Sequence, residues 1–157
     1  MGRLACPQIK QKSMKKILNS LLMLVLGFAL LTACSDEDHT QSKPIWEVDT
    51  SINFSATMTA IVILPTNLLE YAQDSDLLAV FVGEECRGKG ELVKKGDTRY
   101  YYLTIKGFSE ESGKVSFQYY NTSRSFLFTT GAVTNFEPNA VWGVIDNPKT
   151  LNLVLVE

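Results

Sequence analysis

Residues 54–64 leave the backbone one comfortable choice. Thr57, Thr59, Ile61, Val62 and Ile63 are β-branched, stiff at χ1 and suited to a pleated surface. Met58, Ala60, Val62 and Leu64 fall on one face at a period of two; Thr57, Thr59, Ile61 and Ile63 fall on the other. Pro65 then removes a backbone donor and ends the ladder. A strand of this kind is not stable alone, so the rest of the chain has to supply its neighbours.

The chain does supply them. Residues 77–82 are a continuous apolar run, the pattern of a strand buried on both faces. Residues 85–93, 99–106 and 114–121 follow, and 124–129, 132–136 and 151–156 add further strand candidates, with an alternating 45–50 ahead of them all. Gly88 and Gly90 interrupt 85–93 and mark a bulge or a close backbone approach. Residues 66–73 suit a short helical turn capped by Thr66. No segment after residue 34 keeps a helical period over about 10 residues. Short turns between strands favour antiparallel pairing, because parallel strands need long crossovers. The expectation is an all-β fold: an antiparallel two-sheet β-sandwich, Ig-like or jelly-roll-like, of about eight strands, with a small barrel as the alternative.

The front of the chain is different. Residues 21–31 are unbroken apolar, and Lys15 and Lys16 precede them. The run is too short for a bilayer span of about 20 residues but fits the apolar region of a signal peptide. It ends at Leu31-Thr32-Ala33-Cys34, which resembles the lipobox of bacterial lipoproteins. The resemblance implies acylation of the Cys34 sulfur and cleavage just before it. Residues 1–33 are then a signal peptide, with 1–13 either an upstream mis-start ahead of Met14 or a long basic region. Ser35 after the acceptor cysteine, where Asp would imply retention in the inner membrane, implies transfer to the outer membrane; Ser35-Asp36-Glu37-Asp38 also resembles the acidic export signal of surface-exposed Bacteroidetes lipoproteins, which implies a protein facing the cell exterior, with a periplasm-facing linker as the alternative. Residues 34–43 read as an acidic flexible tether and 44–157 as the β-sandwich domain.

From Cys34 onward the chain has ten basic and seventeen acidic residues, a net charge of −7. Nucleic-acid binding needs clustered Lys and Arg, so that class of partner is not expected. Cys86 is the one cysteine left in the domain, a small hydrophobe without a disulfide partner. The single histidine, His39, sits in the tether, where it cannot be held against a nucleophile. Catalysis is therefore not expected, and no cofactor is implied.

A second resemblance rests on several stretches. They include Met58-Thr59-Ala60-Ile61-Val62, the run Asp76-Leu77-Leu78-Ala79-Val80-Phe81-Val82-Gly83-Glu84-Glu85-Cys86-Arg87-Gly88, and Tyr101-Tyr102-Leu103-Thr104-Ile105-Lys106-Gly107. Val115-Ser116-Phe117-Gln118-Tyr119-Tyr120, Phe136-Glu137 and Gly143-Val144-Ile145-Asp146-Asn147-Pro148 complete the set. Together they resemble a β-sandwich module recurrent in secreted and surface proteins of Bacteroidetes, with "F-x-G-x-E-C-R-G" as its core. The resemblance implies an extracellular, non-catalytic module. Lys89 and the long apolar connection 65–73 depart from the pattern. Arg87 is read either as the partner of a carboxylate or, in preference, as a structural pin between strands.

Two sets of candidate residues remain. Tyr100, Tyr102, Tyr120 and Trp142 are expected to offer a stacking surface to a glycan or an envelope protein, with Tyr100 and Tyr102 on one face of their strand and Tyr101 on the other. Asp74, Asp76 and Asp146 lie in turns and are candidates for calcium, with turn capping as the competing use. The functional expectation is a lipid-anchored binding or adhesion module. Its alternatives are a structural subunit of an envelope assembly and a glycan-active enzyme.

Overall fold

The structure is a computed structural model and describes His39–Glu157. The expected signal peptide, the acylated Cys34 and the acidic residues after it lie outside the described residues. The rest is all-β with one short helical turn. The strands are β1 Ala56–Ile63, β2 Leu77–Val82, β3 Glu85–Lys95, β4 Thr98–Gly107, β5 Lys114–Asn121, β6 Phe126–Thr129, β7 Thr134–Asn135, β8 Val141–Trp142, β9 Lys149–Thr150 and β10 Val154–Leu155. The turn of helix, α1 Thr66–Leu69, is preceded by Pro65 at the cap position with no side-chain cap bond, so Thr66 lies inside the helix and not at its cap.

The strands form one curled sheet in the order β10-β6-β5-β2-β3-β4-β1-β8, with β7 on β5 and β9 on β1. The central event is a change of partner along β3. Its first half pairs with β2, ending at Ala79 opposite Lys89, and its second half pairs with β4, from Gly90 opposite Leu103 to Lys95 opposite Thr98. One strand thus belongs to both halves of the fold. Glycine permits the crossing: a Cβ on Gly88 would lie 2.3 Å from the Thr104 carbonyl oxygen.

The sheet is mixed, not purely antiparallel as expected. β8 and β9 both run parallel to β1, opposite Thr59–Ala60 and Val62–Ile63. They are two pieces of one edge strand interrupted by residues 143–148. A parallel neighbour is reachable here because the chain comes to β1 from the far half of the sheet, through β5, β6 and β7. Gly143 lets the edge approach closely: its φ is +85°, and a Cβ there would sit 2.4 Å from the Ile61 carbonyl oxygen.

The core lies inside the curl. β1 contributes Met58, Ala60 and Val62; β4 contributes Tyr101, Leu103 and Ile105; β5 contributes Val115, Phe117 and Tyr119. Phe117 on β5 stacks on Trp142 of β8 at 5.7 Å and 19°. These strands stand far apart in the sheet order, so the stack shows how far the sheet has closed on itself.

Residues 41–54 run over the outside as a strap, 41–46 across the β5–β2 half and 47–50 beside Lys89 and Glu91 of β3 and Thr104 and Lys106 of β4. The backbone N–H of Gln41 donates to the Ser125 carbonyl at 2.6 Å, and the Tyr120 hydroxyl donates to the Gln41 carbonyl at 3.0 Å. Trp46 meets Phe81 edge-on at 6.1 Å. Residues 45–50, expected to be a strand, join no ladder among the described residues; they cover a face. That cover explains why Ala79, Phe81 and Tyr120 are buried although they do not belong to the interior cluster.

Candidate functional site

The "F-x-G-x-E-C-R-G" stretch builds the fold. Gly83 (φ +62°) opens a two-residue turn between Val82 and Glu85. The register then slips between Val80 and Phe81, and Arg87 is left without an opposite number on β2. Such a bulge re-aims a side chain, and here it turns Arg87 inward to 5% exposure. Its guanidinium donates to both Glu111 carboxylate oxygens at 3.1 Å, to Glu85 at 3.0 Å and to the Lys106 carbonyl at 3.2 Å. It also lies 4.7 Å from the centre of the Phe54 ring. The fork geometry fixes the loop 107–113 onto the sheet. Arg87 therefore does both, pairing carboxylates and pinning strands. Glu111, its main partner, lies 24 residues further on and had no local signal.

The exposed surface of interest is the outer face of β3, β4 and β1. Along β4, Tyr101, Leu103 and Ile105 point inward and Tyr102, Thr104 and Lys106 outward, as the period of two requires. Tyr100 stands opposite Val93, and Tyr102 opposite both Ile61 and Glu91. Ile145 reaches the same place from the excursion in the edge strand. A tight turn holds it there, with Val144 and Asn147 exchanging both backbone hydrogen bonds. Ile61, Val93, Tyr100, Tyr102 and Ile145, with the stem of Lys95, line a shallow apolar hollow of about 70 Å³. Tyr102, Val93 and Ile145 are each about two-fifths exposed or more.

The structure thus brings together two of the four aromatic candidates. Tyr120 and Trp142 do not join them. Tyr120 is covered by the strap at Gln41, and Trp142 faces the core against Phe117. Ile61, Val93 and Ile145 were not singled out in the sequence. Ile61 could have been found, since it shares the outward face of β1 with the threonines.

The three aspartates stand in different surroundings. Asp76 is buried and accepts hydrogen bonds from the Tyr119 hydroxyl, the Asn121 amide, the Gln73 and Thr122 backbone N–H groups and the Thr122 hydroxyl. Both carboxylate oxygens are spent on tying α1's loop to the end of β5. Asp74 pairs with Lys94 and with Arg99 at 2.8 Å, and the Lys94 hydrogen bond holds its carboxyl below the usual range. Asp146 is almost fully exposed, 3.8 Å from Lys95. Among the described residues no three acidic, His or Cys side chains converge as a metal site would need.

Inside the curl, burial pushes the Tyr101 phenol up to about 12, with the Asp76 charge adding to the shift. Burial, then the hydrogen bond to Asp76, raises the Tyr119 phenol further. Both remain protonated donors through the physiological range. Tyr101's hydroxyl has no partner among the described residues.

No family model matches the chain, and no curated protein or solved structure matches it.

Proposed function

We propose that this chain is a lipid-anchored envelope protein, attached through Cys34 at the outer membrane and displayed on the cell surface. Its body, a sandwich of Ig-like or jelly-roll-like character whose halves share β3, acts as a non-catalytic binding module. The observation that carries this reading is the apolar hollow of Tyr100, Tyr102, Ile61, Val93 and Ile145 on an outer face. A monomer has little reason to leave two tyrosines and three aliphatic residues together in water. Tyrosine also suits recognition, giving large contact area at small entropic cost. Ile61, Val93 and Ile145 bring no hydrogen-bonding side chains, so a protein surface fits this hollow better than a sugar ring bordered by hydroxyls.

The test uses the acylated full chain in detergent, immobilised and exposed to envelope extracts and to a glycan array, beside a Tyr100→Ser/Tyr102→Ser double variant. A saturable ligand whose binding falls by roughly tenfold or more in the double variant is the expected result. Ligands that bind both forms equally, or none in either screen, overturn it. Mass spectrometry of the native protein checks the anchor: a mature chain beginning at acylated Cys34 is expected, and an unmodified chain beginning at Met1 or Met14 refutes it.

A further inference from the structure

A second outer surface, apart from the tyrosine hollow, is the outward face of β10, β6, β5 and β2. Phe128 and Tyr119 turn inward, so their neighbours along each strand turn outward. Tyr120 stands opposite Leu127 on one side and Leu77 on the other, and the Val156 N–H donates to the Leu127 carbonyl at 2.9 Å. Those four side chains form one row across the sheet. The next row runs from Val154 through Thr129 and Gln118 to Ala79. The outward positions of these four strands hold no acidic side chain, and the charge among them is Lys114 at the end of β5. Acids stand only beyond the strand ends: Asp76, with both oxygens already hydrogen-bonded, Glu84 in the turn after β2, and Glu157 after β10. From Cys34 onward the chain is strongly acidic, so a sheet face without acids stands out.

The strap covers only part of this face. Trp46 lies edge-on to Phe81, whereas Ile45 beside it is 88% exposed. Val154 is 60% exposed, and Leu127 and Val156 are half-buried. Apolar side chains left together at a surface mark a contact. Connectivity identifies what they touch. Gln41 is held to this face by the Tyr120 hydroxyl and, at its border, by the Ser125 carbonyl. Cys34 lies seven residues before Gln41, so the proposed anchor is tied to this face.

We propose that this face rests on the lipid bilayer itself, with Ile45, Trp46 and Val154 at the boundary between headgroups and acyl chains. Lys43 and Lys89, both exposed beside Trp46, reach the lipid phosphates. The inference rests on the Cys34 anchor proposed above and adds which side of the body that anchor draws down. Tryptophan suits this depth, with an apolar ring and an N–H that stays wet. Lysine stems lie along apolar surface while the ammonium stays among the headgroups. So few apolar side chains would hold a free protein only weakly. The anchor makes their contact intramolecular, at an effective concentration on the order of millimolar. The tyrosine hollow, on the β3–β4–β1 half, takes no part in this contact and stays open.

The chain has two tryptophans, which serve as reporters of the two environments. The acylated chain is reconstituted in phosphatidylcholine vesicles, plain or brominated on the upper acyl chain. One form carries Trp142→Phe and leaves Trp46; the other carries Trp46→Phe and leaves Trp142. Bromine quenches only a ring close to it. Emission from Trp46 is expected to fall by roughly twofold in brominated vesicles, as for a ring about 5–10 Å into the boundary, while that from Trp142 holds. Ile45→Asp/Val154→Asp, at two exposed positions, is expected to remove most of the Trp46 quenching. Circular dichroism checks that each variant folds. Equal quenching of the two tryptophans, quenching of neither, or no response to the aspartates overturns the proposal. Trp46 shielded from acrylamide yet unquenched by bromine means that a protein or a second copy covers the face, and overturns it too. Failure of the anchor is read separately. A native chain that carries no acyl group by mass spectrometry and does not float with vesicles overturns the anchor and this contact together. A chain that floats with Trp46 unquenched overturns the contact alone.

Discussion

The two outer faces of this sheet carry similar side chains and meet opposite fates. On the β5–β2 half, Ala79, Phe81 and Tyr120 point away from the core cluster yet are 8% exposed or less, because the strap 41–54 lies across them. On the β3–β4–β1 half, Val93, Tyr102 and Ile145 point outward and remain about 40–46% exposed. Strand pattern alone does not separate these faces. What separates them is a segment remote in sequence that covers one and reaches the other only beside Glu91, Thr104 and Lys106, away from the tyrosine hollow. The covered face behaves as a second, thin core. The uncovered one is available to partners.

The sharpest test of this contrast is to truncate one aromatic on each face. Phe81→Ala removes a ring packed under Trp46 and is expected to cost about 3 kcal/mol, as for a buried phenylalanine. Tyr102→Ala is expected to cost below about 1 kcal/mol. Urea unfolding of both variants reads the difference, and equal losses would mean that the two faces are not distinguished by the strap.

Alkaline titration separates the interior from both faces. The folded Tyr101 phenol is raised from 10.0 to about 12, and that of Tyr119 is raised as well. A raised folded value means stability that is fully present below the unfolded value and lost as pH climbs through the folded one. Stability is therefore expected to fall between pH 10 and 12, by on the order of 3 kcal/mol from Tyr101 alone. Unfolding monitored together with phenolate absorbance checks this; a flat stability profile across that window would refute it.

A more local effect concerns the strap's fastening. Tyr120→Phe deletes the hydrogen bond to the Gln41 carbonyl while keeping the ring, with an expected loss of about 1 kcal/mol. Hydrogen exchange at the Gln41 amide should speed up in this variant, while amides in β4 keep their protection. Acceleration in both places would mean that the bond supports the whole fold and not the strap.

Much of this architecture was legible along the chain. The faces of β1 and β4 follow directly from period-two alternation, including the split of Tyr100 and Tyr102 from Tyr101. The apolar run of β2 announced burial on both sides. Gly88 and Gly90 marked the place where β3 crosses between partners, although not the crossing itself, which depends on strands separated widely in sequence. β8 and β9 are two residues each, too short to carry a period, so their parallel pairing left no trace. Tyr120 was placed on the correct outward face, but the strap that buries it could not be read from β5. The hollow was half legible for a related reason: Tyr100 and Tyr102 share a strand with a clear pattern, whereas Ile145 arrives on a loop. Arg87 stood out as a residue, while Glu111 did not.

The strap has one geometric corollary. Gln41 is bonded to Ser125 and Tyr120, and it lies only seven residues beyond Cys34. Fully stretched, those seven steps reach no more than about 25 Å. On the proposed anchor, the body rides on a short leash close above the lipid headgroups, so whatever it meets has to come down to the bilayer.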